Sequence, residues 1–83
     1  MANKFKKFRG GIDKIDKRIS KLLDKRAEIV KKVGKEKKRL GIKIVNKKRE
    51  KEVLENVLRK GKNKKFIRNC FESIIRESRK IQK

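Results

Sequence analysis

The chain has 83 residues, with 31 Lys+Arg against 10 Asp+Glu, a formal charge of +21, no His and one Cys; an internal disulfide and a Cys/His zinc centre are excluded. At this length a single domain buries only about 60% of its unfolded surface, so a second chain is the remaining source of added stability. The charge predicts attraction to anions (nucleic acid, an acidic membrane or a small anionic metabolite), and no apolar run approaches the roughly 18 residues of a membrane span.

Residues 1–7 read as a basic, disordered tail. One helical domain over residues 8–83 follows. Its first helix is expected from Phe8 to Leu40, on the stripe Ile12, Ile15, Ile19, Leu22 or Leu23, Arg26, Val30, Val33, Lys37 and Leu40. Gaps of three and four place these residues on one face, and Gly41 is a C-terminal stop. A second helix starts at Asn46 as N-cap and ends before Gly61, with Val53, Leu54, Val57 and Leu58 apolar. A basic loop, GKNKK, leads to a third helix carrying Phe66, Ile67, Cys70, Phe71, Ile74, Ile75 and Ile81. No strand-like alternation competes. Cys70, set among Phe66, Ile67, Phe71 and Ile74, reads as inert core.

The fold class is therefore all-α: one long helix and two shorter ones. About 33 residues make a first helix of about 50 Å, whereas a compact globule of this size has a radius of gyration of about 12 Å. The long helix overhangs anything its own two partners can cover. The overhang still carries the apolar stripe, so an intertwined helical homodimer is expected.

Polar residues interrupt each stripe. Arg26 falls four before Val30, and Lys37 four after Val33. Glu50 lies three before Val53, and Arg49 four before it. Ser78 is four after Ile74, Gln82 is four after Ser78, and Arg9 heads the first stripe three before Ile12. Taken singly, each has an ordinary explanation: a snorkelling cation, a hydroxyl bonded back to its own helix, an acid in a first turn, a frayed end. Taken together, they aim cations, an acid and an amide into an apolar bundle. Unpaired burial of such charge would cost several kcal/mol, so the pattern calls for an internal network or a polar guest. Arg supplies a planar fork for carboxylate, Lys a point charge, Gln a neutral donor and Glu an acceptor. The guest they describe is a small dianion with a hydroxyl and a further acceptor oxygen. There is no nucleophile–base pair, so the chemistry indicated needs only shape and electrostatics.

The segments RGGIDKIDKRISKLLDKR from Arg9, KEK ending at Lys37, NKKRE from Asn46 and FESIIRESRKIQ from Phe71, in that order and spacing, resemble the all-helical chorismate mutases over roughly Phe8 to Gln82. One cysteine and no secretory segment suggest a reducing cytoplasm; the resemblance implies a homodimer of three-helix chains in aromatic amino acid biosynthesis (the shikimate pathway). It would convert chorismate to prephenate by a concerted 3,3 rearrangement, with no cofactor or metal, no specific nucleic acid and no membrane. It further implies roles. Arg26 would clamp a carboxylate in its own chain, and Arg9 would reach across the dimer. Lys37 would meet a carboxylate and the ether oxygen, to which Gln82 also donates. Glu50 would take the ring hydroxyl, with Arg49, Ser78 and Asn46 completing the pocket. Asn46 stands where the family commonly has Asp, Gly10 and Gly11 follow Arg9 inside the helix, and the loop from Lys60 to Lys65 is short for the family. Three other readings stay open: a basic nucleic-acid-binding module, an isochorismate pyruvate-lyase of the same fold, and a helical dimer whose site has decayed.

Overall fold

The computed structural model describes residues 3–83. It contains α1 (Asn3–Leu40), α2 (Lys47–Leu58) and α3 (Lys64–Gln82), with no strand among the described residues. The start of α1 differs from expectation. Residues 3–7, read from sequence as a disordered tail, continue the helix, and it runs through Gly10 and Gly11 without a break. Residues 1 and 2 of that tail lie outside the described residues. Helix propagation adds one hydrogen bond per residue fixed, so a long established helix extends readily through two glycines.

At its other end, α1 stops as its sequence requires. Gly41 sits at φ +69°, its N–H donates to Lys38 O at 3.3 Å, and the Ile42 N–H donates to Lys37 O at 2.8 Å. This paired closure satisfies two orphan carbonyls and needs a left-handed residue, which glycine adopts without a Cβ clash. It also turns the chain back, so that Ile44 passes beside Lys37. Asn46 then caps α2: its Oδ1 accepts from the Arg49 N–H at 3.0 Å. Asn46→Ala is expected to lower thermal stability by about 1 kcal/mol, read from a two-state melt.

α3 packs against α1 on one side and α2 on the other. Among the described residues, Leu58 and Ile75 are the buried apolar side chains, and Gly34 is the buried residue of α1. The rest of the molecule is drawn out. Its long axis is 59 Å and its radius of gyration 16.4 Å, against about 12 Å for a compact chain of this length. Along the free part of α1, Phe5, Phe8, Ile12, Ile15, Ile19 and Leu22 are all exposed, from 47% to 68%. One chain alone does not bury this stripe.

One sequence expectation fails in α3. Cys70 is exposed, and so is Phe66 at 67%. The two lie one turn apart, on a face that neither α1 nor α2 covers in the single chain. The α3 core is narrower, built on Ile75 with Ile67, Phe71 and Ile74 half-buried.

Candidate active site

The three helices enclose a cavity of about 310 Å³, inside the about 300–1,000 Å³ range usual for small-molecule sites. Ile29, Val30 and Val33 of α1, Ile44 of the connection, Val53 of α2 and Ile75 of α3 form its apolar walls. Arg26, Lys37, Asn46, Arg49, Glu50, Ser78 and Gln82 line it as well. Seven of the eight site residues expected from sequence thus share one cavity. Arg9 does not. It is exposed and lies 17 positions before Arg26 on the same helix, about 25 Å along the axis.

The α3 side chains order those of the other helices. The buried Ser78 donates its hydroxyl proton to Ile74 O at 2.6 Å and accepts from Arg26 Nη1. The hydroxyl is bonded back to its own helix, as serine in a helix interior often is. Its lone pair holds one arm of the guanidinium and leaves the remaining N–H groups of Arg26 for a guest. One turn further on, Gln82 Nε2 donates to Ser78 O at 3.2 Å, and its Oε1 accepts from Lys37 Nζ at 2.7 Å. Lys37 Nζ also donates to Ile44 O at 2.7 Å. An ammonium has three N–H donors and a primary amide two. Lys37 and Gln82 therefore each retain one N–H after these bonds, side by side at the same end of the cavity.

Sequence reasoning missed Arg79. Its Nε donates to Glu50 Oε2 at 2.7 Å, and its Nη2 donates to Glu50 Oε1. The pair is mostly shielded from solvent, with side-chain exposures of 29% and 19%. This fork–fork arrangement is the strong geometry for Arg and carboxylate. The hydrogen bonds from Arg79 hold the Glu50 carboxyl below the usual glutamate range; burial opposes this, and the charges of Arg79, Lys47 and Lys37 reinforce it. The available signal was spacing: Arg79 is four after Ile75 and three before Gln82, on the edge of the same face.

Two expected contributors act at the margin. Arg49 pairs with Glu52 at 3.6 Å, both side chains more than half exposed, an arrangement that contributes little to stability. Its charge stands at the mouth of the cavity. The Asn46 carbonyl oxygen is engaged in capping α2, so the amide N–H groups are what that side chain has left to offer a ligand. In sum, four cationic side chains (Arg26, Lys37, Arg49 and Arg79) face one carboxylate, Glu50. The cavity carries a surplus of positive charge and can hold a small dianion. Among the described residues there is no cluster of His, Cys, Asp and Glu that could hold a metal ion, and no helix is long and apolar enough to cross a membrane.

Comparison with known proteins agrees with this geometry. The family model for chorismate mutase type II matches residues 8–83. A solved structure, a conserved hypothetical protein from Pyrococcus furiosus, is similar with a TM-score of 0.83 and 40% sequence identity; the match covers 96% of this chain and 96% of that one. No curated protein matches the chain. With the family match spanning nearly all of the sequence and the helices enclosing a cationic cavity, the chain belongs to the chorismate mutase type II family.

Proposed function

We propose that the chain is an isomerase that converts chorismate to prephenate. One observation carries this reading: Lys37 and Gln82 meet at one end of the cavity with an unused N–H each, while Arg26 is braced by Ser78 beside them. In the rearrangement the ether C–O bond breaks as a C–C bond forms, and negative charge grows on the ether oxygen. Two fixed donors at that oxygen stabilise the transition state more than the substrate, which is the condition for acceleration. Arg26 binds one carboxylate and holds the side chain of the substrate folded over its ring. The ring hydroxyl donates to Glu50. No proton is transferred and no covalent intermediate forms, consistent with a site that holds no nucleophile–base pair.

In this reading the second carboxylate is met by Arg9 of another copy. The exposed stripe from Phe5 to Leu22 supports an intertwined homodimer in which two α1 helices cover each other, and the length of α1 sets Arg9 far from its own cavity. Co-expression of Arg9→Ala with Arg26→Ala tests this. Each single variant is expected to be nearly inactive. The mixed dimer contains one site with both arginines, so activity reappears; no recovery would rule out donation across the dimer.

The reading itself is tested by adding chorismate to the purified chain and following its ultraviolet loss and prephenate formation. Isochorismate, supplied separately, reports on pyruvate elimination. Loss of isochorismate with chorismate untouched would replace the mutase by a lyase.

A further inference from the structure

We propose that Arg79 is a positioning residue: its guanidinium, forked onto both oxygens of Glu50 between α3 and α2, holds that carboxylate against the cavity wall as the acceptor for a ligand hydroxyl and away from Lys37. The proposal deepens the mutase reading and rests on it.

The geometry of the site poses the problem that Arg79 solves. Glu50 is the one carboxylate of a cavity that also contains Lys37, Arg26 and Arg49. It lies close enough to Lys37 to be influenced by its charge. A carboxylate free to rotate in such company would pair with the lysine, whose ammonium is a mobile point charge. That pairing would consume the N–H that Lys37 has in hand and neutralise the cation needed at the ether oxygen. Arg79 forestalls it by taking one lone pair of each Glu50 oxygen through Nε and Nη2. Each oxygen keeps a second acceptor site. The fork is planar and rigid, so it fixes the direction of the carboxylate as well as its charge.

Arg79 also completes a pattern along α3. Ser78 braces Arg26, Gln82 meets Lys37, and Arg79 holds Glu50. Residues within five consecutive positions of one helix thus aim a side chain from each of three places on the other two helices.

The charged groups facing Glu50 are Arg26 and Lys37 from α1, Lys47, Arg49 and Lys51 from α2, and Glu72, Arg76 and Arg79 from α3. Arg79 is the one bonded to it. Its hydrogen bonds disfavour protonation of Glu50, so removing them raises the affinity of Glu50 for a proton, and loss of activity on acidification then sets in at higher pH.

The test compares the wild-type chain, Arg79→Gln, Arg79→Lys and Glu50→Gln. Carboxyl-carbon NMR follows the titration of Glu50, assigned by its loss in Glu50→Gln, and chorismate turnover is measured across the same pH range. In Arg79→Gln the Glu50 titration is expected to move up. The value of kcat/KM should fall about tenfold or more at mildly acidic pH, with a smaller deficit in alkaline solution. Arg79→Lys should recover part of both effects, since it restores the charge without the fork. If Arg79→Gln does not fold, by far-ultraviolet circular dichroism, Arg79→Lys carries the same reading. A Glu50 titration that stays put, or a deficit equal at every pH in a folded variant, would overturn the proposal. If the wild-type chain leaves chorismate unchanged while the Glu50 titration still moves, the Arg79 clamp stands and the mutase reading alone fails.

Discussion

Lys37→Met is expected to lower kcat for chorismate by about a hundred- to a thousandfold, the usual loss for one donor at a developing oxyanion. Methionine keeps the unbranched stem, so the packing beside Val33 and Ile44 changes little, and only the ammonium disappears. The Ile44 carbonyl and Gln82 Oε1 lose their donor, but Lys37 is half-exposed and water can replace it at both. The helical content and melting temperature should therefore change far less than the rate. The distinction between kcat and KM decides what Lys37 does. If it serves only to attract a dianion, KM rises and kcat holds, because attraction shared equally by substrate and transition state does not speed the chemical step. If it stabilises charge that appears during bond cleavage, kcat falls in proportion to kcat/KM. Four cations surround the cavity, so attraction survives the loss of one. A kcat within a few fold of wild type would remove Lys37 from the chemistry.

The surface charge serves a different end. With a net +21, the molecule attracts anions over distances comparable with the Debye length, about 8 Å at physiological salt. That raises encounter rates for a dianion but does not discriminate among dianions. Under the proposed function, discrimination falls to the half-buried Arg26, Lys37, Glu50 and Gln82, each held by a partner on another helix or on the connection after α1.

Much of this site was readable in sequence because its residues break an apolar rhythm. Arg26 and Lys37 stand where the α1 stripe calls for aliphatic side chains, and Ser78 and Gln82 do the same on α3. A deviation from period is visible in one dimension. Arg79 was not readable in the same way. It sits in RESRK, where several neighbours are charged, and its one signal, the spacing from Ile75 and Gln82, marks the edge of the face without pointing to Glu50, 29 positions away, as its partner. Arg76 bonds no farther than Ser73, and Lys80 pairs with Glu77 on the exposed face. Phe66 and Cys70 failed for the opposite reason: apolar character marks a candidate for burial, but which apolar face is covered depends on where the other helices lie. The helix boundaries at Gly41 and Asn46 were legible because each rests on local chemistry, a left-handed backbone and a side-chain cap. The start of α1 was not, since Gly10 and Gly11 lower helix propensity without forbidding extension.

Gly34→Ala is the second substitution with a large expected effect, and its sign runs against helix propensity. In an open helix this change stabilises by about 1 kcal/mol. Here a Cβ at position 34 would lie 2.8 Å from both Cα and O of Gln82 and 3.1 Å from its Cβ. The obstruction is backbone, so α1 and the last turn of α3 must separate or α3 must unwind there. Overpacking of this kind costs about 1–3 kcal/mol. The effect on turnover should exceed the effect on folding. Gln82 is displaced directly, and its bond to Lys37 lies one turn from the clash. A misplacement of about 1 Å in such a site costs about a hundredfold in rate. A pair of measurements separates this from general loosening. If Gly34→Ala acts by moving Gln82, it should cost much less in a Gln82→Ala background, where the amide is already gone, and the two effects on kcat/KM will fall short of additive. Full additivity would mean that the close approach of α1 and α3 at Gly34 serves packing alone.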